Sequence, residues 1–348
     1  MIINFLIIIQ EKMIITKTPF RMSFFGGGTD MKDYFYNNEG AVLSTTFDKY
    51  CYVNVRHLPR FFDYSTELSY SKTERITNVN DIQHPAIREA MKMLDMHEIR
   101  LTYEADLPAR SGLGTSSSFA VGMLNAFYAL KGKYADKKKL ADEAIYLERV
   151  LCNEAGGWQD QIAASYGGFN RINFGPDGYE VLPIIISPER KRKLNENLMM
   201  FFTGFTRFSS EIQKANAFSS PSDRNTMLKK MYMLVDEAEQ ILVNQERDLD
   251  DFGRLLDTTW NLKKHMGKSI STTSIDRLYE KGIKAGALGG KLLGAGGGGF
   301  LVFYVQQEKQ KFVKEAMKDL MYIPFEFENG GTRVIHYSPE EFEIGEEL

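Results

Sequence analysis

The chain has 348 residues, with 43 basic and 46 acidic side chains and a formal net charge of −3. Its length suffices for two domains of ordinary size, and its hydrophobic content of 43% suffices for a folded core. The small net charge gives no indication of a basic surface that would wrap nucleic acid or coat an anionic membrane. We therefore expect neither kind of partner.

The cysteines and histidines show no pattern of a metal site or a disulfide framework. Cys51 and Cys152 form no CxxC pair, and the five histidines lack the spacing of a zinc site. The first residues, MIINFLIIIQEK, form an apolar run that is too short for a membrane span and lacks the flanks of a signal peptide. We predict a cytoplasmic protein, in which residues 1–12 are a leading strand or an extension before a second start at Met13.

The first half of the chain, residues 13–187, is predicted to begin with strands and to continue with helices. Apolar and β-branched runs predict strands over residues 41–46, 50–55, 168–173 and 179–186. Apolar residues at helical spacing predict helices over residues 85–94, 116–130 and 136–152, and a further helix near Gly157.

The charged segment ERKRKLNEN follows Pro188 and predicts a linker or a connecting helix before a second domain over residues 195–340. Strands are predicted in this half over residues 198–203 and 300–305 and near 333–336. Helices are predicted over residues 224–245, 251–266, 274–285 and 308–320. Strands and helices that mix without strict alternation predict an α+β protein in two lobes.

A glycine segment at residues 106–119, DLPARSGLGTSSSF, precedes the predicted helix over residues 116–130. Gly112 and Gly114 allow unusual backbone angles, and hydroxyl residues follow at the start of the helix. Unpaired N–H groups and the positive end of the helix dipole make such a start a phosphate site. An ordinary N-cap would explain one hydroxyl but not four in succession. The segment is not a Walker loop, because no Gly-Lys-Ser/Thr follows.

Two further glycine segments lie far apart in the sequence. In PFRMSFFGGGTD, a cation at Arg21, a glycine turn and a carboxylate at Asp30 suit a polyhydroxylated ligand. The alternative is a strand that ends in a turn, with Asp30 as the N-cap of a helix over residues 31–36. LGGKLLGAGGGGF precedes an apolar strand and is either a loop that closes over a ligand or a flexible connector.

Two carboxylates complete the candidate set. At about 100° per residue, Glu148 falls on the apolar side of its helix and Arg149 on the opposite side. A buried carboxylate must be paired, hydrogen-bonded or metal-bound, so a structural ion pair is the alternative to a metal ligand. Asp160 follows two glycines at the start of a predicted helix, where N-capping is the alternative to catalysis.

Together these motifs resemble the GHMP kinase superfamily, which includes galactokinase, homoserine kinase and mevalonate kinase. PFRMSFFGGGTD, PARSGLGTSSS and KLLGAGGGGF occur in that family's order. GGGTD and the later GGWQDQIAASYGGFNRI look like the D-glycero-D-manno-heptose 7-phosphate kinases. Galactokinases have Gly-Glu-His-Thr-Asp in the first motif, where Gly27 and Gly28 replace the Glu-His pair here.

The resemblance implies two α+β domains, the first like domain 2 of ribosomal protein S5 and the second ferredoxin-like, with the active site between them. It implies ATP and Mg²⁺ as cofactors and a sugar phosphate as the small-molecule partner. The expected reaction is phosphorylation of the anomeric hydroxyl of heptose 7-phosphate, for the synthesis of nucleotide-activated heptose and surface polysaccharide. Another sugar 1-kinase, similar to fucokinase, and a non-catalytic sensor are the alternatives. The anomer, the cations for the 7-phosphate and the oligomeric state, a homodimer included, stay open.

The resemblance also implies roles for individual residues. Asp160 would be the base, and Arg21 would stabilise it and the transferring group. The ATP phosphates would be held by Gly112, Leu113, Gly114, Thr115, Ser116 and Ser117. Magnesium would be bound by Ser116 and Glu148, with Glu154 as a competitor. The sugar would be contacted by Gly27, Gly28, Thr29, Asp30, Gly294, Ala295, Gly296 and Gly297.

Two positions depart from the family pattern. Thr115 stands where the family usually has serine, which keeps the hydroxyl group. Leu293 stands where the family often has threonine, so a hydroxyl contact to the ligand is missing there.

Overall fold

The computed structural model describes residues 13–58, 61–109, 111–204, 221–267, 270–294 and 297–338. The extension predicted over residues 1–12, together with Ala295 and Gly296, lies outside the described residues. None of the helices in these ranges is long and apolar enough to cross a membrane.

Strands and helices alternate irregularly along the described residues. The strands are β1 Met13–Phe25, β2 Gly40–His57, β3 Thr66–Ser69, β4 Thr73–Ile76, β5 Ile99–Ala105, β6 Phe169–Gly175, β7 Gly178–Pro183, β8 Leu198–Phe202, β9 Gly289–Leu292, β10 Phe300–Tyr304, β11 Met321–Ile323, β12 Phe327–Glu328 and β13 Arg333–Ser338. The α-helices are α1 Lys32–Phe35, α2 Pro85–Met93, α3 Thr115–Leu130, α4 Lys137–Ile145, α5 Gln159–Tyr166, α6 Pro188–Glu196, α7 Pro221–Val243, α8 Asp250–Lys264, α9 Thr273–Lys284 and α10 Gln310–Ala316. Short 3₁₀ turns cover Val79–Asp81 and Gln307–Lys309, and a π-helix covers Tyr146–Leu151.

The strands form two sheets. The larger runs in the order β13-β1-β2-β5-β3-β4, with β6 and β12 also paired to β2 and with β7 paired to β6. Its long antiparallel pair, β1 and β2, begins with Met13 opposite Arg56. Helix α3 covers this sheet and buries Met123, Leu124 and Phe127 in the core. The apolar residues of α3 thus hold the helix against the sheet, and with it the glycine segment at the start of the helix.

The smaller sheet has the order β11-β8-β10-β9, and every neighbouring pair is antiparallel. Helices α7 to α9 join β8 to β9, and α10 joins β10 to β11. Taken in chain order, these four strands have the arrangement 4-1-3-2 of a ferredoxin-like domain. The predicted two-domain α+β fold is therefore confirmed.

Three sequence predictions need correction, and a fourth is decided between its two alternatives. The helix over residues 136–152 is α4 followed by a π-helix. The charged segment after Pro188 is a connecting helix, α6, which Ser187 caps by accepting from Arg190 N at 3.2 Å. Part of the third glycine segment forms β9. The second domain does not continue to residue 340 as one unit, because β12 and β13 pair with β2 and β1. That pairing covers the edge that β1 would otherwise expose.

A shared apolar core joins the domains. The ring of Phe252, from α8, meets the rings of Phe24 and Phe25, from β1, at centroid distances of 5.3 and 5.1 Å, both edge to face. Gly26, directly after β1, has φ +80°, and a Cβ there would lie 1.9 Å from the Ala41 carbonyl oxygen. Only glycine fits this close approach. The packing therefore fixes the end of β1, where the first glycine segment begins, against the second domain.

Candidate active site

Arg21 and Asp160 form an ion pair between β1 and α5. Arg21 Nε donates to Asp160 Oδ1 at 2.7 Å, and Nη1 donates to the Gly112 carbonyl oxygen at 2.7 Å. The Arg21 side chain is 5% exposed, whereas that of Asp160 is 25% exposed. Asp160 does not cap α5, since Trp158 occupies the N-cap position. The capping interpretation of Asp160 is therefore wrong.

The second glycine segment leads into α3 through two left-handed residues. Gly112 has φ +84°, and Gly114, the N-cap of α3, has φ +72°. Because Gly114 has no side chain, it provides no capping oxygen for the first N–H groups of the helix. The Leu113 carbonyl accepts from Arg21 N at 3.1 Å, which fixes the loop to β1. The start of α3 thus has the backbone geometry of an anion site.

The hydroxyl groups after Gly114 differ in their surroundings. Ser117 donates to Glu148 Oε2 at 2.6 Å, and Ser118 donates to the Pro19 carbonyl oxygen at 2.9 Å. Thr115 is buried, whereas Ser116 is exposed. Ser116 is therefore the residue that faces outward at the start of the helix, whereas Ser117 and Ser118 are engaged within the protein.

Glu148 is 2% exposed, which confirms its predicted burial. Its Oε2 accepts from Ser117 and also from Gln161 Nε2. The prediction that Arg149 points away is wrong, because its guanidinium lies 3.9 Å from Glu148 Oε2 and donates to the Gly157 carbonyl oxygen. Both residues lie in the π-helix, where the wider turn changes the angle between successive side chains.

The surroundings of Glu148 fit a magnesium ion that is also bound by substrate phosphates. Within the described ranges, no three His, Cys, Asp or Glu side chains form a self-sufficient metal cluster. Magnesium in nucleotide sites needs only one or two carboxylates besides the phosphates. Both hydrogen bonds that the Glu148 carboxylate accepts within these ranges reach Oε2, and the buried Oε1 of Gln161 has no partner there. Oxygen donors next to the start of α3 are thus available for a hard cation.

Glu154 is the weaker of the two candidate metal ligands. It is exposed, and its N–H donates to the Glu148 carbonyl oxygen at 2.9 Å. Although the residue is exposed, desolvation of its carboxyl group by the surrounding protein, and then the nearby charge of Glu148, raise the pKa of that group. Unlike Glu148, it makes no hydrogen bond with a hydroxyl residue of α3 in the described structure.

Asp30 lies in the turn after β1. Its Oδ1 accepts from Gly28 N at 2.9 Å, and its Oδ2 accepts from Gln159 Nε2 at 3.0 Å. Burial, and then the charge of Asp160, raise the pKa of the Asp30 carboxyl group. The capping interpretation is wrong here too, because Met31 holds the N-cap position of α1. Asp30 is a buried carboxylate beside the Arg21 and Asp160 pair.

The other residues of this turn shape its backbone. Gly28 has φ +102°, and Gly27 lies beside the side chain of Gln159. The Thr29 hydroxyl is buried and lies 2.8 Å from the carbonyl oxygens of both Gly26 and Ala41. The Thr29 side chain therefore holds the turn together, and the structure does not support its predicted contact with the sugar.

Gly157→Ala is expected to disturb Asp30 without a change at the phosphate loop, which comprises residues 112–114 before α3. A Cβ at this position would lie 1.8 Å from Asp30 Oδ2, so the carboxylate must move. If Asp30 contacts the sugar, as the family resemblance implies, kcat/KM for that sugar should fall by about 10²-fold, the usual cost of a small misplacement, with an unchanged KM for ATP. Steady-state kinetics with each substrate varied would measure both effects. Gly175→Ala is the control, since a Cβ there would have no atom within 4 Å, and equal kinetics in the two variants would contradict the prediction.

The third glycine segment lies against the second. A Cβ on Gly112 would lie 2.4 Å from the Leu293 carbonyl oxygen, and a Cβ on Gly294 would lie 2.3 Å from Gly112 Cα. Gly297 N donates to the Ile270 carbonyl oxygen at 3.0 Å. Within the described residues, Leu293 and Gly294 thus pack directly against Gly112, which favours a loop of the site over a free connector.

Two lysines of the second domain reach this region and were not predicted from the sequence. Lys291 is 2% exposed and donates to the carbonyl oxygens of Ser23, at 2.9 Å, and Phe24, at 2.7 Å. Lys263 donates to the Gly294 carbonyl oxygen. Lys263 follows the buried Trp260 by three residues in α8, so both lie on the same face of the helix. A lysine on that apolar face was the feature of the sequence that could have indicated a buried cation.

Gln159 is a third residue of the site that was not predicted from the sequence. Its amide joins Asp30 to α5, and its Oε1 is buried without a partner in the described part of the chain. Its position directly before Asp160 was the only hint in the sequence.

Two family models match the chain, and together they cover half of it. The model "GHMP kinases N terminal domain" matches residues 81–168, and "GHMP kinases C terminal" matches residues 238–323. The chain belongs to the GHMP kinase family. This kinase is accordingly an ATP-dependent phosphotransferase, and its phosphate loop and Asp160 lie within the first match.

Three relatives show how far the similarity extends. D-glycero-alpha-D-manno-heptose 7-phosphate kinase of Campylobacter jejuni is 29% identical over 92% of this chain and 98% of its own length. L-fucokinase/L-fucose-1-P guanylyltransferase of Bacteroides fragilis is 30% identical over 62% of this chain and 23% of its own length. The crystal structure of a D-glycero-D-manno-heptose 1-phosphate kinase from Bacteroides thetaiotaomicron has a TM-score of 0.75 and 23% identity, over 93% and 99% of the two chains. The last comparison bears on the fold alone.

Proposed function

We propose that this GHMP kinase is a sugar kinase that transfers the γ-phosphoryl group of MgATP to the anomeric hydroxyl of D-glycero-D-manno-heptose 7-phosphate. The observation that carries the proposal is the Arg21–Asp160 ion pair, which is bonded to the phosphate loop on one side and lies beside Asp30 on the other. The full-length similarity to the Campylobacter heptose 7-phosphate kinase supports the choice of sugar. The reaction would take place in the cytoplasm and would supply nucleotide-activated heptose for surface polysaccharide.

The chain's own residues would act mainly by position and charge, as in other phosphoryl transfers. The N–H groups at the start of α3, with the Ser116 hydroxyl, would hold the ATP phosphates. Asp160 would accept a hydrogen bond from the anomeric hydroxyl and take its proton. Because that hydroxyl is more acidic than an ordinary alcohol, a modest base suffices. Arg21 would fix the Asp160 carboxylate and offset the charge of the transferring group.

Glu148 and Ser116 would hold the magnesium ion of MgATP. Bound there, magnesium would neutralise charge on the ATP phosphates. Ser117 and Gln161 would orient the Glu148 carboxylate through the hydrogen bonds that they donate to it. Asp30 and Gln159 would bind sugar hydroxyls, while the backbone at Gly27, Gly28, Gly294 and Gly297 would line the sugar site.

A different sugar 1-kinase is the second candidate. The match to the fucokinase of Bacteroides fragilis favours it, since that match reaches 30% identity. The same pair of Arg21 and Asp160 would serve fucose without a pocket for a second phosphate. A sensor without catalysis is disfavoured, because Arg21, Ser116, Glu148 and Asp160 are all present.

A panel of sugars and sugar phosphates with ATP would test the proposal. ADP release would give the rates, and phosphorus NMR would identify the phosphorylated position. We expect heptose 7-phosphate to be used at least tenfold more efficiently than heptose, roughly the scale of one charged contact. Equal rates with and without the 7-phosphate would overturn the preferred substrate, and tight ATP binding without ADP release would favour a sensor.

A further inference from the structure

We propose that Lys263 is a phosphate-binding residue of the candidate active site, where its ammonium group contacts the phosphate-monoester oxygens of a bound substrate. The proposal rests on the proposed function and extends it. Two substrate groups have this chemistry, the acceptor's own phosphate and the transferring γ-phosphoryl group. Kinetics with phosphorylated and unphosphorylated acceptors separate them.

A series of contacts links Lys263, in α8, to the Arg21–Asp160 ion pair. Its Nζ donates to the Gly294 carbonyl oxygen, and Gly294 lies so close to Gly112 that neither residue has room for a Cβ. The Gly112 carbonyl oxygen in turn accepts from Arg21 Nη1. Lys263 is thus two residues removed from the guanidinium that holds Asp160. Like Lys291, it brings a cation from the second domain to the ion pair of the first.

The charges around Lys263 favour an anionic ligand. Lys263 forms no ion pair with a carboxylate in the described part of the chain, and Arg21 already neutralises Asp160. The charged groups that it faces are Arg21 from β1, Lys291 from β9 and Asp30 from the turn. Burial, and then the charge of Arg21, lower its pKa to about 8, while Asp30 opposes that shift. Phosphate oxygens would supply the negative charge that this group of cations lacks.

The next residue provides a matched contrast. The Lys264 ammonium group lies 3.8 Å from Asp276 Oδ1 and 5.7 Å from the centre of the Tyr279 ring. The charge of Lys264 is therefore balanced by a carboxylate of the second domain. Of these two adjacent lysines, Lys264 thus has a carboxylate partner, whereas Lys263 has none in the described part of the chain.

The experiment compares Lys263→Met, Lys263→Arg and Lys264→Met in the full chain, with heptose 7-phosphate and heptose as acceptors. If the acceptor's phosphate is the ligand, Lys263→Met should raise KM for heptose 7-phosphate by about 10-fold or more, the usual worth of a charged hydrogen bond, and leave KM for heptose unchanged. If the γ-phosphoryl group is the ligand, kcat should fall by a similar factor with both acceptors. Lys264→Met should match the wild type in either case.

A pH profile separates phosphate binding from a purely structural contact to Gly294. In the wild type, kcat/KM should fall as the pH rises through about 8, because the ammonium group loses its proton and its charge. Lys263→Arg should retain most activity and move that fall to higher pH, since arginine stays charged. An unchanged high-pH limb in Lys263→Arg, or wild-type kinetics in Lys263→Met, would overturn the proposal. If fucose proves to be the acceptor, kcat of Lys263→Met and of the wild type is compared with fucose. The role of Lys263 at the γ-phosphoryl group can therefore be tested even if the proposed sugar is wrong.

Discussion

Asp160→Asn is expected to lower kcat by about 10²-fold or more, the usual contribution of a general base, while the chain stays folded. Asparagine keeps the shape of the side chain and still accepts a hydrogen bond from Arg21 through its oxygen. It has neither the charge that pairs with the guanidinium nor the basicity to take a proton from the sugar. Single-turnover measurement of ADP release with saturating MgATP would report the chemical step directly.

Asp142→Asn is the matched control for this variant. Asp142 also forms a close ion pair, with Lys138 at 2.6 Å, but on the exposed side of α4. Loss of a surface ion pair changes stability little, so its turnover should equal that of the wild type. Wild-type turnover in Asp160→Asn would remove Asp160 from the role of base. A loss of secondary structure by circular dichroism would instead indicate a structural role.

The sequence predicted those parts of the site that short, continuous segments of the chain provide. The glycines around Gly112, the hydroxyls after them and the carboxylates at Glu148 and Asp160 are each short patterns with a physical meaning. Their order along the chain matches one family, and the structure brings Arg21, Gly112 and Asp160 into direct contact. Helix boundaries followed the apolar spacing to within a few residues in α3 and α8.

Contacts between distant segments were not predictable in the same way. The neighbours of Glu148 depend on a π-helix that the average helical angle does not anticipate. The pairing of β13 with β1 joins residues at opposite ends of the chain, and strand pairing of that kind depends on tertiary context. Lys263 meets Gly294 only because β9 packs beside α8. A single lysine in an amphipathic helix gives no indication of which carbonyl it will reach.

Glu148→Gln is expected to raise the magnesium concentration needed for half-maximal activity and to lower kcat by about 10²-fold, in line with the loss of several kcal/mol of metal-based charge stabilisation. The amide oxygen can still accept a hydrogen bond from Ser117, so the substitution removes the charge while retaining one local contact. Titration of magnesium at fixed ATP, with binding of manganese followed by electron paramagnetic resonance, would measure affinity apart from turnover.

Glu154→Gln decides between the two carboxylates, because Glu154 lies six residues further along the chain and bonds to Glu148 only through its backbone. If Glu148 is the ligand, Glu154→Gln should keep the wild-type magnesium dependence and should retain the wild-type kcat. A shifted magnesium curve in Glu154→Gln alone would assign the metal to Glu154. In that case the buried carboxylate of Glu148, with its bonds from Ser117 and Gln161, would serve to hold the start of α3 against α5.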